Sequence, residues 1–225
     1  MKHTTKTILR IALIMLAWLP SLSAQDYDCG DECRINSNVG LVVNEPLNTT
    51  GQVASTGWGA TAGAGYNFNK RNALIGEFMW NRIYPASKSL QPFQSGNIDG
   101  TSDIYMVTAN YRFELRGKLF GAYLIGGGGL YIRHTNLSAT ITSTSGTACT
   151  SPWLWWGFTC TSGTVDAGQT LTRSTSIVPG GNGGGGITFR VGEAPYRLYV
   201  EARYHYAPTH GVSTQFVAVA FGGRF

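Results

Sequence analysis

Between Tyr196 and Tyr206 one set of alternate positions, Tyr196, Leu198, Val200, Ala202, Tyr204 and Tyr206, is apolar or aromatic throughout, while the other carries Arg197, Glu201, Arg203 and His205. A period of two predicts a strand with one apolar and one charged face. The same dyad recurs upstream. Trp58, Ala60, Ala62, Ala64, Tyr66 and Phe68 share a face opposite Gly57, Gly59, Thr61, Gly63, Gly65 and Asn67. Tyr105, Val107, Ala109, Tyr111 and Phe113 oppose Thr108, Asn110 and Arg112. Leu74, Gly76, Phe78 and Trp80 oppose Glu77 and Asn81, with Ile75 and Met79 interrupting the contrast. In a soluble sandwich the charged face would meet water. Here the charges recur on the side that a closed sheet would enclose, which predicts a barrel turned inside out.

Segments of this period bounded by turn residues give eight strands, near 35–44, 56–68, 72–84, 103–113, 118–134, 176–191, 196–206 and 215–225. Their connections alternate in kind. Asn69-Lys70-Arg71, Glu114 to Gly117 and Gly192 to Pro195 are tight, whereas 45–55, 85–102, 135–175 and 207–214 are long or variable. Short turns at one end and long loops at the other are the wiring of an all-β, eight-stranded, antiparallel up-and-down transmembrane barrel. An even strand number lets the last strand close on the first, leaving no unpaired edge in lipid.

The chain starts with Lys2, Lys6 and Arg10, then the apolar run Ile11 to Leu19, Pro20, and the small residues Ser21, Ser23 and Ala24. That is the form of a secretory signal peptide, expected to end at Ala24 with Ser23 as the rival site; the run is too short to span a bilayer. The expected division is a signal peptide (1–24), a periplasmic leader (25–34) and a barrel (35–225) whose longest external loop is 135–175.

Composition narrows the class. Charged residues make up 13% and there are 30 glycines, while no apolar run after the signal approaches the roughly 20 residues of a membrane helix. The formal charge of +5 becomes +2 once Lys2, Lys6 and Arg10 are removed (5 − 3), so the basicity gives little reason to expect nucleic acid. No cofactor is expected.

Val217, Val219, Phe221, Gly223 and Phe225 share one face of the last strand, which ends on an aromatic residue. A terminal Phe after alternating apolar residues resembles the signal read by the outer-membrane barrel assembly machinery. With Gly57 to Phe68, Gly76-Glu77-Phe78-Met79-Trp80-Asn81-Arg82 and Tyr199 to Tyr206, the chain resembles the outer membrane protein beta-barrel domain family, small eight-stranded barrels of the OmpA and OmpX kind. The resemblance implies a bacterial outer-membrane location with both termini on the periplasmic side. It implies function only loosely, because such barrels serve as tethers, adhesins, small pores and occasionally enzymes.

An eight-stranded lumen is nearly filled by side chains, so Glu77, Arg112, Arg190, Arg197, Glu201, Arg203 and Arg224 are expected close enough to pair as an internal plug. Were the lumen to conduct, five Arg against two Glu would favour anions. The runs Gly126 to Gly129 and Gly180 to Gly186 lack the Lys-Ser/Thr of a phosphate loop and fall inside neighbouring strands, where glycine relieves crowding against side chains such as Tyr123 or Tyr199.

Cys149 and Cys160 are expected to close a disulfide around Trp153, Leu154, Trp155, Trp156 and Phe158 in the longest loop; for Cys29 and Cys33 a tight disulfide and a free leader both stay open. An aromatic patch of this kind suits contact with an extracellular protein, a glycan or a membrane surface. The rival reading has these rings folded back on the loop or resting at the lipid interface. Flanking segments 137–142 and 164–176, rich in Thr and Ser, suggest that the fifth and sixth strands continue beyond the membrane. Catalysis finds little footing: His205 should point inward, and His134 and His210 lack a Ser/acid set that strand geometry would assemble, although His210 and Ser213 share a loop. The expectation is a non-catalytic barrel with a structural or adhesin-like role. A narrow pore is the alternative, and a lipid-modifying enzyme ranks below it.

Overall fold

The computed structural model describes residues 34–86, 96–141, 146–150, 159–163, 170–192, 196–208 and 213–225. Its strands are β1 (Ile35–Pro46), β2 (Ala54–Asn67), β3 (Asn72–Pro85), β4 (Gly96–Arg116), β5 (Phe120–Ile141), β6 (Gly146–Thr150), β7 (Thr159–Gly163), β8 (Thr170–Arg190), β9 (Arg197–Ala207) and β10 (Thr214–Arg224), with one short helix, α1 (Asn48–Val53). Eight of them form a closed antiparallel barrel in the order β1-β10-β9-β8-β5-β4-β3-β2, and β6 and β7 pair as a separate hairpin. Closure runs from Asn38 opposite Arg224 to Pro46 opposite Phe216, so the first and last strands satisfy each other's backbone groups. Asn69 makes the β2–β3 turn, its Oδ1 accepting the backbone N–H of Arg71 and of Asn72, both at 2.9 Å.

The inverted facing is what the dyads require. Along β9 every odd residue from Arg197 to Ala207 is buried and every even one is exposed. On the outer wall Val39, Leu41, Phe78, Val107, Leu124, Leu130, Val200 and Phe221 are exposed apolar side chains. Aromatic residues gather above and below this band: Trp58, Tyr84, Tyr105, Tyr204 and Tyr206 toward the long-loop end, Tyr66, Phe68, Tyr111, Phe113 and Phe120 toward the short turns. From Tyr105 to Leu115, both outward-facing, ten residue steps of about 3.3 Å at a tilt near 40° give roughly 25 Å, the height of a lipid-facing band. Among the described residues no helix is long and apolar enough to cross a membrane.

The lumen is not polar throughout. Val42, Met79, Ile83, Ile104, Met106 and Phe216 form an apolar cap toward the long-loop end, and Val53 of α1 packs against it. Thr50 fixes α1 there, donating to the Ser213 carbonyl (2.8 Å) and accepting from the Gln215 N–H (2.9 Å). Ile75 joins Ala73, Tyr123 and Ile125 in a second apolar cluster. Ile75 and Met79, which interrupt the sequence contrast, are thus lumen residues on the same face as Glu77.

The two glycine runs lie opposite each other, from Gly126 against Gly183 to Gly129 against Gly180. A Cβ on Gly186 would sit 2.6 Å from Tyr123 Cζ and Oη, and one on Gly40 would collide with the Tyr199 hydroxyl. Bare backbone at these points lets two tyrosine rings cross the lumen.

Strands β4, β5 and β8 exceed their expected spans, reaching 21, 22 and 21 residues. The β3–β4 ladder ends at Ile83/Ser102, and β9 pairs β8 only from Gly181. Beyond those points β4 and β5 pair up to Gly96/Ile141, and β5 and β8 up to Ser138/Thr170. Thr and Ser carry this three-stranded extension because residues past the lipid need β-propensity without apolarity. Pro179 fits within β8 because β9 has not yet begun to pair there.

Candidate functional site

The lumen charges sort into two layers. In the first, β9 presents Arg203 between Glu201 on the same strand and Glu77 across the lumen on β3. Arg203 Nε meets Glu201 Oε1 at 2.5 Å, and Nη2 meets both Glu77 oxygens at 2.6 and 2.8 Å. Tyr123 donates its hydroxyl to Glu201 Oε2 at 2.8 Å. All three charged side chains are buried, so the triad is a fixed internal bolt: each charge taken from water is answered by an opposite one in hydrogen-bond contact.

In the second layer, nearer the short turns, Arg112 (β4), Arg197 (β9) and Arg224 (β10) are buried together. Arg190 is not among them. It shares the inward face with Thr188 but stands at the last position of β8, opposite Arg197, and is exposed; at the rim its charge reaches water and avoids a like-charged neighbour. The carboxylate at the centre is Glu114, which the sequence reading placed in a turn. It is buried in β4 and holds Arg112, Arg116 and Arg224. The dyad Asn110, Arg112, Glu114, Arg116 was the signal that could have found it, had the strand been carried past Phe113.

His205 lies in the lumen, its ring stacked on Phe216 with centroids 4.8 Å apart and planes 3° from parallel, and its Nδ1 lies 3.0 Å from the Tyr131 hydroxyl. On the outer wall the ladders bring together a polar row that sequence reasoning missed: Arg82 opposite Asp103, Asp103 opposite His134, and His134 opposite Thr175. His134 thus has an acid and a hydroxyl beside it after all. The acid is engaged elsewhere, taking Arg82 at 2.8 and 2.9 Å and the Trp80 indole at 3.2 Å, while Thr175 Oγ1 lies 2.8 Å from His134 Nδ1. The row marks the upper limit of the apolar band. Below it an open groove of about 480 Å³ runs along the outer wall between Val39 and Phe78 over Ala60 and Ala62.

The long-loop end carries the β6–β7 hairpin, in which Cys149 stands directly opposite Cys160. Trp153, Leu154, Trp155, Trp156 and Phe158, the signal segment, Cys29, Cys33 and His210 lie outside the described residues. Along β10 Val219, Phe221 and Phe225 are exposed on the outer face, with Val217 half-buried on the same face. The backbone N–H and C=O of Phe225 both pair with Ser37, at 2.9 and 3.0 Å.

No protein-family model matches the sequence, and no curated protein matches it. Solved structures similar to the chain include Neisserial surface protein A, at 12% identity over 85% of this chain and 96% of that one, with a TM-score of 0.46. Ail, the attachment invasion locus protein of Yersinia pestis, crystallised with the heparin analogue sucrose octasulfate, is 17% identical over 86% and 100%, with a TM-score of 0.43. The N-terminal beta-barrel domain of Pseudomonas aeruginosa OprF is 10% identical over 84% and 97%, with a TM-score of 0.42. The chain's own eight ladders, closing β1 on β10, establish that it is a small antiparallel β-barrel.

Proposed function

We propose that this chain is a non-catalytic barrel of the bacterial outer membrane, both termini periplasmic, that works as a structural and surface-contact protein through its long-loop end. The observation that carries the reading is the extension of β4, β5 and β8 past the barrel wall. Six residues of β4, Gly96 to Thr101, continue beyond the last β3 pairing at Ser102, a reach of roughly 20 Å at about 3.3 Å per residue. Such a stalk lifts the β6–β7 hairpin away from lipid.

Directly opposed residues of an antiparallel pair have Cα atoms about 4.5–5.5 Å apart, within the span of a disulfide, so the Cys149/Cys160 register supports a bond there. Tying the hairpin shut lowers the ordering cost of presenting Trp153, Trp155 and Trp156 to a protein, glycan or membrane surface. Lipid around the wall and the barrel assembly machinery are the remaining partners.

Replacing Trp153, Trp155 and Trp156 with Ser is expected to leave heat-modifiable folding intact and to reduce cell aggregation or surface adhesion. Cys149→Ser is expected to weaken the same property. Unchanged adhesion in a correctly folded triple variant removes the surface-contact role. Conduction is the reading the lumen opposes, because the Arg203 triad and the apolar cap both occupy the lumen among the described residues. Stable unitary steps in a planar bilayer would restore it.

A further inference from the structure

On the outer wall β2 presents only Ala60 and Ala62 where the strands beside it present Val39, Phe78 and Trp80, so it forms the floor of the groove of about 480 Å³. That volume lies within the roughly 300–1,000 Å³ of small-molecule sites. The wall on the β3 side is a set of rings that hold one another. Phe78 stacks on Tyr105 with centroids 6.4 Å apart, and Trp80 meets Trp58 edge to face at 5.1 Å. Walls fixed in this way lower the ordering cost of filling the groove.

Two occupants suit an apolar groove facing lipid, a second barrel and a lipid chain. Barrel strands tilt by about 40°, so two barrels side by side in one membrane cross their facing strands at roughly 80°. A ridge of a second copy would meet the groove at one point, whereas a flexible chain follows it. From Phe78 to Arg82 the groove rises four residue steps of about 3.3 Å, roughly 10 Å along the membrane normal and less than half of a band of about 25 Å. The occupant is therefore a chain of the leaflet on the long-loop side.

The upper end of the groove is polar, and its charges stand in a set order. Arg82 lies over the Trp80 ring, its Cζ 5.5 Å from the centroid, while Asp103 grips Nε and Nη2 at 2.8 and 2.9 Å. Nη1 is outside that fork, and the side chain is 37% exposed. On the far side of the groove Glu45 is exposed on the outer face of β1, where it accepts from Thr56 at 2.6 Å. Trp58, itself exposed, stands on β2 between the two strands. One guanidinium is thus flanked by a carboxylate on each side. A purely anionic head would meet Glu45 and Asp103 as like charges. A head with both a phosphate and an ammonium matches the order, its phosphate at Arg82 Nη1 and its ammonium over Trp58 toward Glu45.

We propose that the groove is a binding site for one zwitterionic phospholipid with a phosphoethanolamine head, one chain lying over Ala60 and Ala62 and the head reaching across Trp58 from Arg82 to Glu45. The site rests on the membrane reading of the barrel and is independent of the surface-contact role.

The test is native mass spectrometry of the full chain folded in uncharged detergent and titrated with phosphatidylethanolamine, phosphatidylglycerol or lipid A. Saturable retention of one phosphatidylethanolamine per barrel is expected, with phosphatidylglycerol held more weakly. Arg82→Gln should weaken retention of both about tenfold, and Glu45→Gln should remove the preference for phosphatidylethanolamine. Ala62→Phe, which fills the groove from its floor, should abolish retention. Ala202→Phe, at an exposed position of β9 elsewhere on the wall, is expected to retain lipid as the unaltered chain does. Heat-modifiable mobility of each variant checks the barrel itself, so loss of the site is distinguished from loss of the membrane reading. If Arg82→Gln does not fold, Ala62→Phe carries the comparison. The proposal is overturned if folded barrel retains phosphatidylethanolamine and phosphatidylglycerol equally, if lipid A is retained in preference to both, or if Ala62→Phe retains lipid as well as Ala202→Phe does.

Discussion

Removing the bolt between β3 and β9 should be the most damaging single charge deletion in the lumen. Arg203 is the sole cation in contact with Glu77 and Glu201 among the described ion pairs, through bonds of 2.5, 2.6 and 2.8 Å, and all three side chains are almost wholly buried. Arg203→Met keeps the volume and deletes the charge, leaving two carboxylates facing each other without a counter-ion. At an effective dielectric near 20, a unit-charge contact at 4 Å is worth about 4 kcal/mol before desolvation is set against it. Breaking a buried pair by deleting one partner costs about 3–5 kcal/mol. The triple variant Glu77→Gln, Glu201→Gln, Arg203→Met removes every charge at once and should lie within about 1 kcal/mol of the unaltered barrel, since neutral replacement of a whole buried network is often harmless. Urea unfolding in micelles, followed by tryptophan fluorescence and by gel mobility before and after boiling, measures both. If Arg203→Met unfolds at the same urea concentration as the unaltered chain, or if the triple variant is the worse of the two, the triad is not a structural bolt.

The two faces of β9 should respond oppositely: Val200→Arg places a charge on the lipid wall and should cost about 2–4 kcal/mol near the midplane, whereas Glu201→Gln, which keeps an acceptor for Tyr123, should cost less by the same unfolding assay. Gly186→Val puts a Cβ 2.6 Å from the Tyr123 ring and should cost about 1–3 kcal/mol by overpacking; Tyr123→Ala in the same chain should recover part of that loss, and an additive double variant would show that the ring does not set the glycine. Deleting Phe225 should lower the fraction of chain recovered as heat-modifiable barrel from outer membranes, and an undiminished fraction would remove the C-terminal strand as an assembly signal.

The barrel was legible because lipid on one side and a filled lumen on the other impose a period of two on every strand. Where that constraint lapses, reading failed. Ile75 and Met79 looked like noise because a lumen plug admits apolar side chains as readily as paired charges. Glu114 was lost by ending β4 early, and Arg190 was misplaced because parity gives the face of a residue and not its height in the barrel. The continuation of β5 and β8 beyond the lipid was legible in the Thr- and Ser-rich segments 137–142 and 164–176, whereas the extension of β4 and the β6–β7 hairpin were not, because past the lipid Thr and Ser no longer need to alternate with apolar residues. Helix α1 could not be read from Asn48-Thr49-Thr50-Gly51-Gln52-Val53, which has no acidic first turn and no capping side-chain bond. It is held by the reach of Thr50 to Ser213 and Gln215, 163 and 165 residues away.

The central claim is that the exposed apolar wall meets lipid while the charged face is enclosed. With the four cysteines replaced by serine, a nitroxide placed in turn at each residue from Leu198 to Tyr206 in a bilayer-reconstituted barrel reads this directly through collision with oxygen and with a water-soluble nickel complex. Oxygen contact should peak at 198, 200, 202, 204 and 206 and fall at 199, 201, 203 and 205, the alternation of exposed and buried positions along β9. Peaks at the odd positions would invert the barrel, and nickel contact without alternation along the whole strand would take it out of the membrane.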